Sequence, residues 1–332
     1  MTEQTSHPTF LRHQQGEWCQ APIQSLRIIL QRMVAFGQAS SEFTRLFRFA
    51  DSPNAANVQP DDGRWISLKQ LHHPTQLVYG SALPQQLGRE QAAGVASWLV
   101  DQCDRLRQGT HPLLEESAEE FSAGLRSLLR EFTVMATPAA TLRLQWHDRA
   151  IAHWLTVILT ADWERGAGLA QPGRSLAPSD LWTVQYAHAR CCAILRHAQA
   201  VAWIPLVPSA DAAPWCWAED TVPWLTDFDR LTLWHPSQFS VMVTGLALLD
   251  QWTEPVAAPS PTGSSDLGQH EWRLAEQLSH AFQTFYAACP PFAMVRWRDR
   301  DQACGYIALI TAIQRLLWWV LMRRGAVIPM QL

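Results

Sequence analysis

The sequence predicts a mostly α protein. An antiparallel helical bundle is expected over residues 178–332, preceded by a smaller α+β domain over 65–163 and an N-terminal helical segment over 1–50. Three observations carry this. Apolar residues recur at helical spacing through almost the whole second half. Two short β-prone runs, Phe132-Thr-Val-Met135 and Leu142-Arg-Leu-Gln-Trp146, flank Ala-Thr-Pro-Ala-Ala in the manner of a hairpin. A stretch rich in Gly and Pro, 164–179, reads as the link between the two halves.

Within 21–49, Ile23, Leu26, Ile29/Leu30, Met33/Val34 and Phe36 keep helical spacing, with Arg27, Arg32, Arg45 and Arg48 on the remaining surface. The Pro, Asn and Asp content of 51–63 marks a loop or linker. Helical spacing returns over 84–107 and 112–131. After the hairpin, a helix is expected from about His147 to Trp163, with Ile151, Trp154/Leu155 and Ile158/Leu159 on one face. Pro178-Ser179-Asp180 then supplies an N-cap ahead of a long amphipathic run, Leu181 to Trp203. Helices are also expected at 219–234, 236–252, 269–288 and 299–324. A polar, mobile loop is expected at 253–268, and Gly325 and Pro329 stop the last helix. No internal repeat is found.

At 332 residues, 48% hydrophobic and 17% charged, the chain has the composition of a well-packed globular protein and not of a disordered one. Its 17 tryptophans are expected mainly as core or interface anchors. The formal charge is −4 and Lys69 is the only lysine, a balance that disfavours strong polyanion binding. Residues 179–332 hold 10 arginines and no lysine against 13 acidic residues, so the second half is itself acidic. Seven cysteines without a CxxC spacing point to free, buried thiols in a reducing compartment, and to neither a disulfide framework nor a zinc site. The opening MTEQTSHPTF lacks signal-peptide character. The apolar stretch Ala303 to Met322 is interrupted by Gln314 and Arg315, so it reads as a core helix. A soluble, cytoplasmic protein is the expectation.

Trp182-Thr-Val-Gln-Tyr-Ala-His-Ala-Arg-Cys-Cys-Ala-Ile-Leu-Arg-His-Ala198 closely resembles the opening helix of the anticodon-binding (DALR) domain of class I arginyl-tRNA synthetases; Val184 to Ala189, Arg190 and Ile194 carry the match. Leu-Ala-Glu-Gln-Leu-Ser-His-Ala-Phe-Gln-Thr-Phe-Tyr-Ala-Ala-Cys289 is similar to a later helix of that domain. The segment from Ala308 to Gly325 and Pro329 is similar to its ending, with Leu332 where the family has Met. The resemblance covers 178–332. The strand–turn–strand–helix of 131–159 is more weakly similar to the synthetases' N-terminal domain, which touches the outer corner of tRNA; Pro138-Ala139-Ala140 lacks the usual turn glycine. The His-Ile-Gly-His-like and Lys-Met-Ser-Lys-Ser-like ATP signatures are absent, as is the strand–helix alternation of the catalytic domain. The resemblance therefore implies a standalone, cyanobacterial-type DALR-domain protein that is not an enzyme, carries no cofactor, and has arginine tRNA as its partner.

On the helix 181–203, Val184, His188, Cys191 and Leu195 share a stripe, which makes His188 a core histidine. Tyr186, Arg190 and His197 share another face, with Ala189 and Arg196 beside them. An aromatic beside guanidinium groups suits an unstacked anticodon base and its phosphate. Equally, it suits an aromatic packed on neighbouring helices with arginines paired to carboxylates. Tyr186, Arg190, Arg196, His197 and, by the resemblance, Leu332 are the candidate RNA contacts. Arg296, Arg298 and Arg300 alternate with Asp299 and Asp301 and read as self-paired, while Arg323-Arg324 complement a helix dipole. His147 and His153, spaced i, i+6, do not share a helix side, and His72-His73 diverge; no GxSxG, HExxH or phosphate loop occurs, so no catalytic or metal-ligating set is identified. Two functions compete: non-catalytic tRNA binding, and the same fold reused for protein interaction through an exposed Trp/Arg surface.

Overall fold

A computed structural model describes residues 21–39, 66–87, 89–116, 127–161, 178–200, 206–207, 215–217, 222–233, 235–253, 264–290 and 300–331. The chain divides into two compact units, one within Gln20–Ile151 and one from Ala152 to Leu332. Most described residues are helical, and the sheet structure is small and antiparallel.

In the first unit, α1 (Pro22–Ala39) opens on proline, whose missing N–H costs nothing at a first helical position. Leu26, Ile29, Leu30, Met33 and Val34 line its buried face, in keeping with their spacing. A four-stranded antiparallel sheet follows in the order β1-β2-β4-β3, built from β1 (Leu68–Leu71), β2 (Val78–Ser81), β3 (Phe132–Ala136) and β4 (Leu142–Trp146). Leu142, Leu144 and Trp146 of β4 are buried and alternate with half-exposed Arg143 and Gln145, the period-2 pattern of a strand with one covered face. Between β2 and β3 come a short helix α2 (Leu83–Leu87), one 3-10 turn, α3 (Ala92–Gln108) and α4 (Leu113–Glu116). Cys103 of α3 lies 3.4 Å from the Met33 sulfur, and the Phe36 ring tilts against His111 at 5.0 Å.

The β3–β4 hairpin is the one the sequence predicts. Its turn is closed by Thr137 N–H donating to Thr141 O (2.8 Å) and Ala140 N–H donating to Thr137 O (2.9 Å). Ala140 occupies the left-handed region at φ 53°, where hairpins of this kind normally place glycine. Ala140→Gly is therefore expected to raise stability by about 0.5–1 kcal/mol, read as a higher urea midpoint at unchanged slope.

Two elements depart from expectation here. The hairpin β1–β2 was not anticipated, because Leu68-Lys-Gln-Leu71 does not alternate and each strand is only four residues long. The helical run expected over 84–107 is two helices with a 3-10 turn between them. The expected linker 51–63, much of 112–131 and most of 164–179 lie outside the described residues.

α5 (Asp148–Thr160) runs across the boundary into the second unit. That unit contains α6 (Pro178–Ala200), a two-stranded pair of β5 (Leu206–Val207) and β6 (Cys216–Trp217), α7 (Pro236–Thr253), α8 (Ser264–Ala288) and α9 (Arg300–Arg323). Helix α9 packs against α6, α7 and α8, and every residue from Ala303 to Leu321 is buried. It is the one helix among the described residues long and apolar enough to cross a membrane, and that apolar window is 100% buried in the fold. Gly325, at φ 60°, ends it by turning Gly325 N–H to Met322 O and Ala326 N–H to Leu321 O.

The start of α8 at Ser264 places the end of the expected 253–268 loop in helix. The helix expected over 219–234 is not formed in its described part. Residues 222–233 make a tight hairpin, with Leu225 bridged to Leu231 and the Thr226 hydroxyl taking the N–H groups of Phe228 (3.3 Å) and Arg230 (3.4 Å). A threonine that captures local amides in this way competes with the helix.

Candidate nucleic-acid interface

Helix α6 carries two stripes of polar and aromatic side chains. On the first, Gln185, His188, Cys192 and Arg196 fall within one face at 3.6 residues per turn. Three of these hold the segment that follows α9. Gln185 Nε2 donates to Val327 O (2.8 Å), His188 Nδ1 bonds Pro329 O (3.0 Å), and Arg196 Nη1 donates to Met330 O (2.7 Å). Side chains from 185 to 196 thus fasten backbone carbonyls from 327 to 330.

His188 is buried, and its other nitrogen lies 2.9 Å from Gln314 Nε2. Gln314 Oε1 accepts the Trp215 N–H (3.2 Å), which assigns its Nε2 as donor to His188. The imidazole therefore carries its proton on Nδ1, directed at Pro329 O. Burial drives its pKa from 6.5 down to about 4, only partly opposed by the Pro329 carbonyl, so it is neutral near pH 7. The Cys192 thiol, 3.8 Å from the same ring, is pushed up to about 12 by burial. This is a structural cluster.

The second stripe contains Trp182, Tyr186, Arg190 and His197. Trp182 is 63% exposed, and its ring centroid lies 6.1 Å from that of half-exposed Tyr186 at an interplanar angle of 38°. Arg190 is half-buried; its guanidinium lies 4.6 Å over the Tyr286 ring of α8 and also donates to the Tyr286 hydroxyl at 2.5 Å. His197 is exposed. Ala189, expected beside these residues, is fully buried.

The structure thus gathers Tyr186, Arg190 and His197 on one face of α6 and places Arg196 on the other, against Met330. Leu332 lies outside the described residues. Trp182, Gln185, Tyr286 and Val327, not singled out by sequence, complete the surroundings. Val327 is 78% exposed and its carbonyl is bound by Gln185, three residues from Trp182 on α6. The position of Trp182, four residues before Tyr186, was the available signal. Among the described residues, no group of three His, Cys, Asp or Glu side chains is placed to hold a metal ion. No protein-family model matches the chain, and no curated protein or solved structure does.

Proposed function

We propose that the chain is a non-catalytic tRNA-binding protein of the cytoplasm, its second unit an antiparallel helical bundle of the DALR type. On this reading the outward face of α6 takes an unstacked base of the arginine tRNA anticodon loop. The observation that carries it is the exposed Trp182–Tyr186 pair on the helix that bears the DALR-like segment, with Arg190 and His197 on the same stripe. Paired aromatics accept any base by stacking, and each stack is worth about 1–3 kcal/mol. Arg190, one turn beyond Tyr186 on the same stripe, has its guanidinium held over Tyr286, with N–H donors left over from one hydrogen bond. The weaker likeness of 131–159 to a tRNA-contacting domain extends the same reading to the first unit.

A second reading, a protein-interaction module, is favoured by one specific feature. Arg190 and Arg196 both spend hydrogen bonds on the protein itself, while Trp182 and Val327 offer exposed apolar area. Tyr186→Ala separates the two. The first reading expects tRNA affinity to fall roughly 5- to 150-fold, the equivalent of one lost stack, with the melting temperature unchanged. Unaltered affinity in a folded variant contradicts it.

A further inference from the structure

Outside α6, the most exposed large apolar side chain among the described residues is Phe228, at 86%. It sits at the tip of a turn that is unusually well fixed. Thr226 N–H donates to Arg230 O (2.7 Å), Asp229 N–H donates to Thr226 O (2.9 Å), and the Thr226 hydroxyl takes two further amides. Asp229 stands at φ 56°, a hairpin position normally given to glycine or asparagine.

The stem is anchored as firmly. Thr232 N–H donates to Trp224 O (2.8 Å), and the Thr232 hydroxyl reaches Pro223 O at 3.1 Å. Trp224 is buried, and its indole N–H donates to Thr156 of α5 (3.1 Å). A Cβ on Gly305 of α9 would stand 2.6 Å from the Thr232 hydroxyl oxygen, so this site on the buried helix admits the stem only as glycine. A side chain that could lie back on the surface is instead held out on a braced, low-entropy support.

We infer that the Thr226–Arg230 turn is a protein-docking knob, Phe228 entering an apolar pocket rimmed by basic side chains on a partner protein. The charge around the tip selects that partner. Asp227 and Asp229 flank Phe228 and both are exposed, as is Arg230. Two carboxylates against one guanidinium repel phosphates, which disfavours RNA and anionic lipid and favours a basic rim. Phenylalanine is a side chain that interface cores enrich, and a rigid mount lowers the ordering cost of inserting it. This site is independent of the α6 stripe.

The test uses the full chain with Phe228→p-benzoylphenylalanine, irradiated in an extract of the source cells at low and high ionic strength, with the adduct mapped by mass spectrometry. The expected result is one dominant protein adduct on an apolar residue neighboured by Lys or Arg. Its yield should drop at high salt and in the Asp227→Lys background, but not in the Asp104→Lys background. With that partner purified, Phe228→Ala should weaken binding at least about tenfold, as a hot-spot side chain does, at unchanged melting temperature. The inference is overturned by attachment to RNA, to lipid or to a second copy of this chain. It is equally overturned by adducts scattered over many proteins, by the absence of an adduct, or by insensitivity to salt and to Asp227→Lys.

Discussion

Arg315→Met is expected to destabilise the second unit by about 3–5 kcal/mol. Arg315 is 5% exposed on α9; Nη2 donates to Ala161 O at 2.6 Å and Nη1 to Trp215 O at 3.0 Å. One guanidinium thus ties the end of the α5 segment and the approach to β6 onto the core helix. Hydrogen bonds from a charged donor are each worth about 1.5–3 kcal/mol, and methionine keeps the bulk while leaving both carbonyls behind. Replacing a buried ion together with its partners can be neutral, but here the partners are backbone and stay. Arg315→Lys should fall between the two, because a single ammonium lacks the fork that spans two carbonyls. Chemical denaturation measures all three proteins; a loss below about 1 kcal/mol for Arg315→Met would show that the carbonyls find other donors.

The second large effect concerns His188 and pH. His188→Leu leaves the Gln314 Nε2 donor and the Pro329 carbonyl without the bonds they make in the wild type, for a loss on the order of 3 kcal/mol. It should also change the acid limb of stability. The folded imidazole titrates near 4 and the unfolded one near 6.5, so between those values the unfolded chain binds the extra proton. Stability from this group is complete above pH 6.5 and is lost as pH falls towards 4, by on the order of 3 kcal/mol in all. His111 in the first unit is likewise held down at about 4 by burial, so it adds a loss of the same sign. Measured from pH 7.5 to 4.5, wild type should lose stability with falling pH more steeply than His188→Leu. Parallel curves would mean that His188 is not buried in its neutral form.

What the sequence made legible follows from the range of the forces involved. Apolar repeats at 3.6 residues placed α6, α7 and α9 within a few residues and the start of α1, and the alternation Leu142, Leu144, Trp146 placed β4. The same logic misread 222–233, because Trp224, Phe228 and Leu231 imitate helical spacing. Whether such spacing becomes a helix is decided by Thr226 and the bracing of the stem on α5 and α9, not by the pattern. On α6 the buried stripe with His188 was readable from periodicity. The engagements of Arg190 with Tyr286 and of Arg196 with Met330 were not, since the partners are 96 and 134 residues away. Exposure of Trp182 was equally hidden, because tryptophan composition favours burial.

The acidic balance of the second half makes affinity itself the decisive quantity. Equilibrium titration of labelled arginine tRNA against the wild-type chain at two salt concentrations, beside an RNA duplex of equal length, separates specific tRNA binding from non-specific binding. A tRNA-binding α6 face should give a Kd for tRNA tighter than about 10⁻⁶ M at physiological salt, a clear preference over the duplex, and a shallow salt slope from few phosphate contacts. Equal binding of both RNAs in the non-specific range of about 10⁻⁴–10⁻⁶ M would contradict it and leave the α6 face as a surface for protein.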